Sequence, residues 1–332
     1  MRNMRRRLAY LSFAGLVGAG LMGLVASAGS NAAEPYPSRP ITIVMGISKG
    51  GITDVATRLY ADIVARELGQ PVVIDNRPTD SGVEAAALVQ NAAPDGYTLL
   101  AFSGAQHGAI AAMRPVPYEP VAGFAPVTVL FTMVNFLAVP DTSPANSLAN
   151  LLQMGRDRPA GLSFGSSGLG STSHLTAARL AQSSGTRIAP KHYAGAVPMI
   201  ADLVAGRLDF ALVSYAVAGP YAREKKLKLL AVDAVARWPD FPAIPTLREA
   251  GANQPKVASW FALAAPKGTP PAIIRRLSDA FARASRNPSI IKGLHDNGAL
   301  ITSSTPQSAS TELAREVAQT ATLIRTLNLS QP

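Results

Sequence analysis

Cysteine is absent from the 332 residues, which excludes disulfides, thiolate nucleophiles and thiolate metal sites together and leaves the fold to be held by its core. A lipid-modified N-terminus, which needs a cysteine, is excluded as well. Histidine is nearly as scarce. The four present, His107, His174, His192 and His295, are dispersed without metal-ligand spacing, so neither a metal nor a cofactor is expected. Aromatic residues make up 6% and charged residues 16% of the chain. With plentiful Ala, Val and Leu, this is the composition of a compact α/β protein rather than a disordered or coiled-coil one. No solenoid-type repeat recurs.

The formal charge of +10 overstates the basicity of the body, because Arg2, Arg5, Arg6 and Arg7 supply four of the ten charges. The rest is spread out, with one short cluster at Arg223, Lys225, Lys226 and Lys228 that reads as a solvated helix end rather than a nucleic-acid footprint. Nucleic acid is therefore not an expected partner, whereas a moderately positive body suits anionic ligands. The N-terminal arginines precede an apolar, Gly- and Ala-rich run over 8–28. That run approaches the length of a membrane span, but its small residues fit an export signal better. Residues 1–33 are assigned to a signal peptide, cut after Ala28 or Ala33, which directs the mature chain to the periplasm.

A β-branched run at 41–45 stops at Gly46, and 54–68 then repeats apolar residues at helical spacing. A strand at 71–75, a helix at 81–92 and a strand at 97–102 behind Pro94-Asp95-Gly96 complete a βαβαβ unit, which calls for a parallel sheet covered by helices. Pro115, Pro117 and Pro120 stiffen a loop, and the apolar stretch 127–139 is long enough to leave one sheet and enter another. The second series comprises helices at 147–156, 173–183 and 197–205 and strands at 162–165, 210–214 and 227–232. An extended segment at 238–246 carries three prolines, a strand at 257–264 returns to the first sheet, and amphipathic helices occupy 270–286 and 305–327. The length suffices for two domains. The expectation is a two-lobed α/β fold, each lobe a mainly parallel sheet flanked by helices: lobe 1 from 34–132 and 257–332, lobe 2 from the inserted 133–256.

Ligands of open α/β sheets bind outside the carboxyl ends of the strands, beside helix N-termini. Two loops stand there. In Ser48-Lys49-Gly50-Gly51-Ile52-Thr53-Asp54, paired glycines let the backbone approach a ligand, and N–H groups at a helix start suit a carboxylate. Lys49 either adds a charge-assisted bond or points to solvent. Asp54 either touches ligand or, the stronger reading, caps free N–H groups of the first turn. In Ser166-Ser167-Gly168-Leu169-Gly170-Ser171-Thr172-Ser173-His174, hydroxyls and N–H groups offer neutral donors, some of them spent on capping and turns. His174 reads as packed or capping before it reads as a ligand contact. Smaller signals are Ser103 and Gln106, with His107, after a strand; Tyr193, Gly195 and Ala196 before a helix; and Ser214 after a strand. Tyr193 either offers its hydroxyl to a ligand or packs in the core.

Gly161-Leu162-Ser163-Phe164-Gly165 matches the hydrolase pattern G-x-S-x-G, but Ser163 falls inside a strand instead of on the sharp turn that a nucleophile needs. Gly168-Leu169-Gly170 with Ser173 in the third glycine's place is a defective dinucleotide fingerprint. Binding without chemistry is the better reading, and no enzyme activity is expected.

Ordered landmarks run along the mature chain: Tyr36-Pro37-Ser38-Arg39-Pro40-Ile41, Gly50-Gly51 with Asp54, Leu68-Gly69-Gln70-Pro71-Val72-Val73, Asn76-Arg77-Pro78 and Ala93-Pro94-Asp95-Gly96-Tyr97-Thr98-Leu99. They continue through Phe124-Ala125-Pro126-Val127, Ser166-Ser167-Gly168 with Ser173-His174-Leu175, Gly206-Arg207-Leu208-Asp209, Ile244-Pro245-Thr246, Ser259-Trp260-Phe261 and Ala265-Pro266-Lys267-Gly268-Thr269-Pro270. In these the chain resembles the tripartite tricarboxylate transporter substrate-binding proteins, or Bug receptors. The resemblance implies a Venus-flytrap fold that closes, as a monomer, on a small carboxylate ligand, with one carboxylate held by main-chain groups and waters at 48–53 and 166–174. It also implies delivery to membrane permease subunits, or a signalling partner where the receptor acts as a sensor. The chain departs from the family's pattern at Ser48-Lys49, Thr79-Asp80-Ser81-Gly82, His192-Tyr193-Ala194-Gly195 and Ser214-Tyr215. The last replaces a frequent Asp-Asn and removes an acid that could meet an ammonium. With Lys49, it points to a dicarboxylate or aromatic acid rather than an amino acid.

Overall fold

The computed structural model describes residues 36–50, 52–168, 170–193, 196–234, 236–252 and 259–329. The signal peptide expected at 1–33, Gly51, Gly195 and the 256/257 boundary lie outside them. So does the side chain of Ala196.

Strand β1 (Ile41–Met45), with Ile41, Ile43, Val44 and Met45 buried, leads into α1 (Ile52–Leu68). The helix turns Ala56, Tyr60, Ala61, Val64 and Leu68 inward at helical spacing. Next come β2 (Val72–Asn76), a 3-10 turn at Asp80–Gly82, α2 (Val83–Gln90), β3 (Thr98–Ser103), α3 (Gly104–Met113) and β4 (Phe124–Met133). Across Val134 the chain enters β5 (Asn135–Pro140), followed by α4 (Leu148–Asp157), β6 (Leu162–Ser166), α5 (Thr172–Ser184) and β7 (Ile188–His192). The series α6 (Ala196–Val204), β8 (Phe210–Ser214), α7 (Tyr215–Arg223) and β9 (Leu227–Asp233) completes the second sheet. β10 (Trp260–Pro266), α8 (Pro271–Ala284), α9 (Pro288–Asp296), β11 (Ala299–Ile301) and α10 (Pro306–Thr326) belong with the first.

The six-stranded sheet has the order β11-β4-β10-β3-β1-β2 and the five-stranded sheet β7-β6-β8-β5-β9. β1 pairs in parallel with β2 and β3, and β6 with β7 and β8, whereas every ladder made by β5, β10 or β11 is antiparallel. The expected two-sheet α/β architecture is present. Its sheets are mixed, with parallel portions, because β5 arrives straight from the other sheet, without the crossover helix that would align it with its neighbours.

The apolar stretch 127–139 is two strands, one in each sheet. α3, β7, α7 and β11 were not expected from the sequence. Glycines hide α3: a Cβ on Gly104 would lie 2.1 Å from the Trp260 ring, and one on Gly108 3.1 Å from the Val317 backbone, so packing overrides helix propensity there. β7 carries Pro190, tolerated because the strand lies at a sheet edge. α7 contains Pro220 in its interior.

Val44, Leu100, Phe102, Val129, Trp260 and Leu313 join the first sheet to α2 and α10. The second sheet is buried on both faces, with Phe136, Val213 and Trp238 in one cluster and Leu137, Phe164 and Phe210 in another. A smaller cluster links the two layers: Ala105, Ala109 and Met113 of α3 meet Leu175 of α5 and Leu323 and Ile324 of α10. No helix among the described residues is long and apolar enough to cross a membrane.

Candidate ligand site

A cavity of about 220 Å³ is bounded by both sheets. Ile52 and Thr53 enter it from α1, Ser103 and Gln106 from the β3–α3 junction, and Ser167, Ser171, Thr172 and Ser173 from the loop before α5. Leu212, Val213 and Ser214 come from the end of β8, Met199 from α6, Met133 and Asn135 from the crossing between β4 and β5, and Ser259 and Phe261 from the start of β10. A narrower extension of about 40 Å³ shares Thr53, Ser103, Gln106 and Phe261 and runs past Ile47 and Gly82 to Tyr118.

Helix starts dominate these walls. Ser103, Ser171 and Ser214 are the N-caps of α3, α5 and α7, and α1 begins at Ile52. Ser171 Oγ accepts from His174 N–H at 3.3 Å and donates to Gly168 O at 2.7 Å, while Ser103 and Ser214 spend no side-chain bond on capping. Ser173 Oγ accepts from Ser167 N–H at 3.2 Å. Gly168 and Gly170 adopt φ values of 128° and 69°, which favour glycine, and Gly170 brings the loop against α3, where a Cβ would lie 3.2 Å from that of Ala109. Among the described residues, none that lines the larger cavity is charged. Its electrostatics come from helix N-termini, each equivalent to about half a positive charge. Such a pocket holds an anion through N–H and O–H donors and leaves an ammonium without a counter-charge.

Ile52, Thr53, Ser103, Gln106, Ser171, Thr172, Ser173 and Ser214, all named from the sequence, line this one cavity. Other expected contacts do not line the cavity. Ser48, Lys49 and Gly50 form an exposed turn. Asp54 is buried and caps that turn: its carboxylate accepts from Gly50 N–H at 2.9 Å, from Arg58 Nε and Nη2 at 3.0 and 2.9 Å, and from Asn76 Nδ2 at 2.9 Å. Burial pushes its pKa up, but these bonds outweigh burial and hold it below the ordinary carboxylate value.

Ser166 Oγ pairs with His192 Nδ1 at 2.7 Å behind the loop, and Gly168 serves as an acceptor for Ser166 and Ser171. His174 is packed: its Nδ1 accepts from Gly170 N–H at 3.2 Å, and burial together with nearby His192 lowers its pKa to about 4. The Tyr193 hydroxyl donates to Asp202 at 2.6 Å. His107 lines the narrow extension, stacks on Tyr118 and meets Pro120 O at 3.0 Å, and burial lowers its pKa to about 4. Ser163 bonds Asp209 at 2.8 Å within β6, with no nucleophile turn.

Sequence reasoning missed Met133, Asn135, Met199, Leu212, Val213, Ser259 and Phe261. Asn135 carried one signal, a lone amide inside an apolar run, and it donates to Ser259 Oγ at 3.4 Å.

Residues 56–329 match the family described as the tripartite tricarboxylate transporter family receptor. The chain belongs to this family. A Rhodopseudomonas palustris protein solved with adipate is 33% identical to the receptor, with a TM-score of 0.79 over 88% of this chain and 98% of that one. MatC of the same organism, solved with bound malate, is 31% identical, with a TM-score of 0.77 over 87% and 100%. The periplasmic binding protein BugD is 25% identical, with a TM-score of 0.78 over 90% and 100%. The receptor is accordingly a periplasmic solute-binding protein of the Bug type.

Proposed function

We propose that this receptor captures a small carboxylate, a dicarboxylate or an aromatic acid rather than an amino acid, and hands it to the permease subunits of a tripartite transporter. The observation that carries the reading is the convergence of four helix N-termini on a cavity with no charged residue among its described lining. Adipate and malate in two solved relatives support the ligand class. The lack of an acid among the described lining residues argues against an ammonium. Displacing on the order of seven waters, at about 30 Å³ each, makes room for a molecule of adipate's size.

In this proposal, 34–132 with 257–332 and 133–256 are two lobes, and export through 1–33 delivers a monomer to the periplasm. The lobes close over the ligand by rotation about the crossing strands. The carboxylate sits between the α1 start and the serine loop, its oxygens accepting from N–H groups and free serine hydroxyls. The aliphatic or aromatic body lies on Met133, Met199, Leu212 and Phe261.

Thermal melting of the mature chain from Glu34 onward, against mono-, di- and tricarboxylates, aromatic acids and amino acids, tests the reading. A ligand at a hundred times its dissociation constant adds about 2.7 kcal/mol. A shift with one acid class is expected. A shift with amino acids that exceeds the shift with their deaminated analogues would refute the ligand class.

A further inference from the structure

The narrow extension is built differently from the cavity it opens from. Part of its wall is a set of rings packed on one another: the His107 ring stacks on Tyr118 with centroids 4.9 Å apart and lies 5.0 Å from Phe102, and Trp260 meets Phe102 edge-on at 5.9 Å. Phe124 holds the far side of His107 in place at 5.5 Å. Small residues, Gly46, Gly82, Ala86 and Ala101, supply other walls. Gly82, at φ of 89°, sits so close to the end of β1 that a Cβ on Gly46 would lie 2.2 Å from its Cα. Packed rings and touching backbones leave little room to collapse, so the slot is pre-formed. Its volume of about 40 Å³, against about 30 Å³ for a water in the liquid, takes one methyl-sized group.

That group is neutral. None of the described residues lining the extension carries a charge at neutral pH: His107 Nε2–H donates to Pro120 O, and burial lowers the pKa of the ring to about 4. A second carboxylate entering the slot would lose its water without meeting a cation.

Thr53, Ser103, Gln106 and Phe261 line both spaces, so whatever enters the extension belongs to the molecule held in the cavity. Phe261, stacked on Phe131 at 5.3 Å, offers a fixed ring face where the two spaces join. An aromatic ligand packs on such a face and carries a substituent onward without freezing chain torsions, a cost that a flexible acid bears.

Resting on the carboxylate-capture reading above, we propose that the extension is a substituent pocket. The ligand is an aromatic acid whose ring bears one small neutral group, such as a methyl, far from the carboxylate, and the slot walled by Phe102, Tyr118, Gly82 and Ala86 receives that group.

Isothermal titration of benzoate, 4-methylbenzoate, terephthalate and hexanoate into the mature receptor tests this. 4-Methylbenzoate should bind roughly fourfold more tightly than benzoate, the ordinary worth of one buried methyl group, and more tightly than hexanoate or terephthalate. Ala86→Val fills the slot and should remove the advantage of 4-methylbenzoate over benzoate. A methyl group that adds nothing in the wild-type protein, tighter binding of hexanoate or terephthalate than of 4-methylbenzoate, or an undiminished advantage in folded Ala86→Val overturns the proposal; the wild-type comparisons stand whether or not the variant folds. If the receptor binds aliphatic dicarboxylates and no aromatic acid, the substituent pocket falls and carboxylate capture stands. If it binds no carboxylate, both fall.

Discussion

Replacing Ser214 by Asp places a carboxylate in a cavity whose described lining residues carry no charge. The substitution suits the fold, because Ser214 is the N-cap of α7 and Asp caps as well as Ser. A cavity of about 220 Å³ treated as a sphere is about 7 Å across, so a bound carboxylate lies within about that distance of the new charge. At an effective dielectric constant near 20, two like charges at about 7 Å repel by about 2.4 kcal/mol, roughly a 60-fold loss of affinity. For an amino acid, the ammonium offsets much of that loss. Isothermal titration of glutarate and glutamate into wild-type protein and Ser214→Asp reads both effects: glutarate should weaken by that order, and the preference for glutarate over glutamate should shrink or reverse. Unchanged glutarate affinity in a folded variant would mean that the anion is not bound within the span of this cavity, and the electrostatic reasoning would fail.

Asp54→Ala strands the Gly50 N–H, Arg58 and Asn76 donors and should cost about 3 kcal/mol in chemical denaturation, softened by solvent access to Arg58. Gly170→Val forces a β-branched residue to φ of 69° and pushes against Ala109, and should lower ligand affinity at least tenfold while secondary structure is retained by circular dichroism. His107 and His174 have folded pKa values of about 4, below the unfolded value of about 6.5, so the unfolded chain binds more protons in between. Their contribution to stability is complete above pH 6.5 and is lost as pH falls toward 4, with a slope of up to about 2.7 kcal/mol per pH unit for the pair. Urea denaturation across that range should show the slope, and His174→Asn should roughly halve it.

The strands of the two sheets were legible where short apolar runs end at glycine or serine, as at Ile41–Met45 and Phe210–Ser214. The serine loop was legible because glycines and hydroxyls before a helical pattern have few other uses. Asp54 shows the limit of such reading. Its position in the first turn indicated a cap, yet the three groups it collects come from the loop, one helical turn on and a neighbouring strand. α3 was lost because Gly104 and Gly108 are there to let Trp260 and α10 approach, a tertiary demand that local propensity does not carry. The cavity floor was lost for a related reason: Met133, Asn135, Ser259 and Phe261 converge only when β4 and β10, far apart in sequence, pair beside the crossing into β5.

In the proposed closure, the reversed strand β5 acts as the pin of a lever. The chain enters the second sheet there, β8 with Ser214 is its immediate neighbour, and β6, which carries the serine loop, lies one strand further out. With strands about 4.8 Å apart, the arms are about 5 and 10 Å. A turn of about 20° about β5, within the ordinary range of hinge motion, carries the serine loop through about 3 Å and Ser214 through about half that. In that proposed swing the outer loop travels about twice as far as the inner serine, so its ligand bonds would be the first to break as the lobes open.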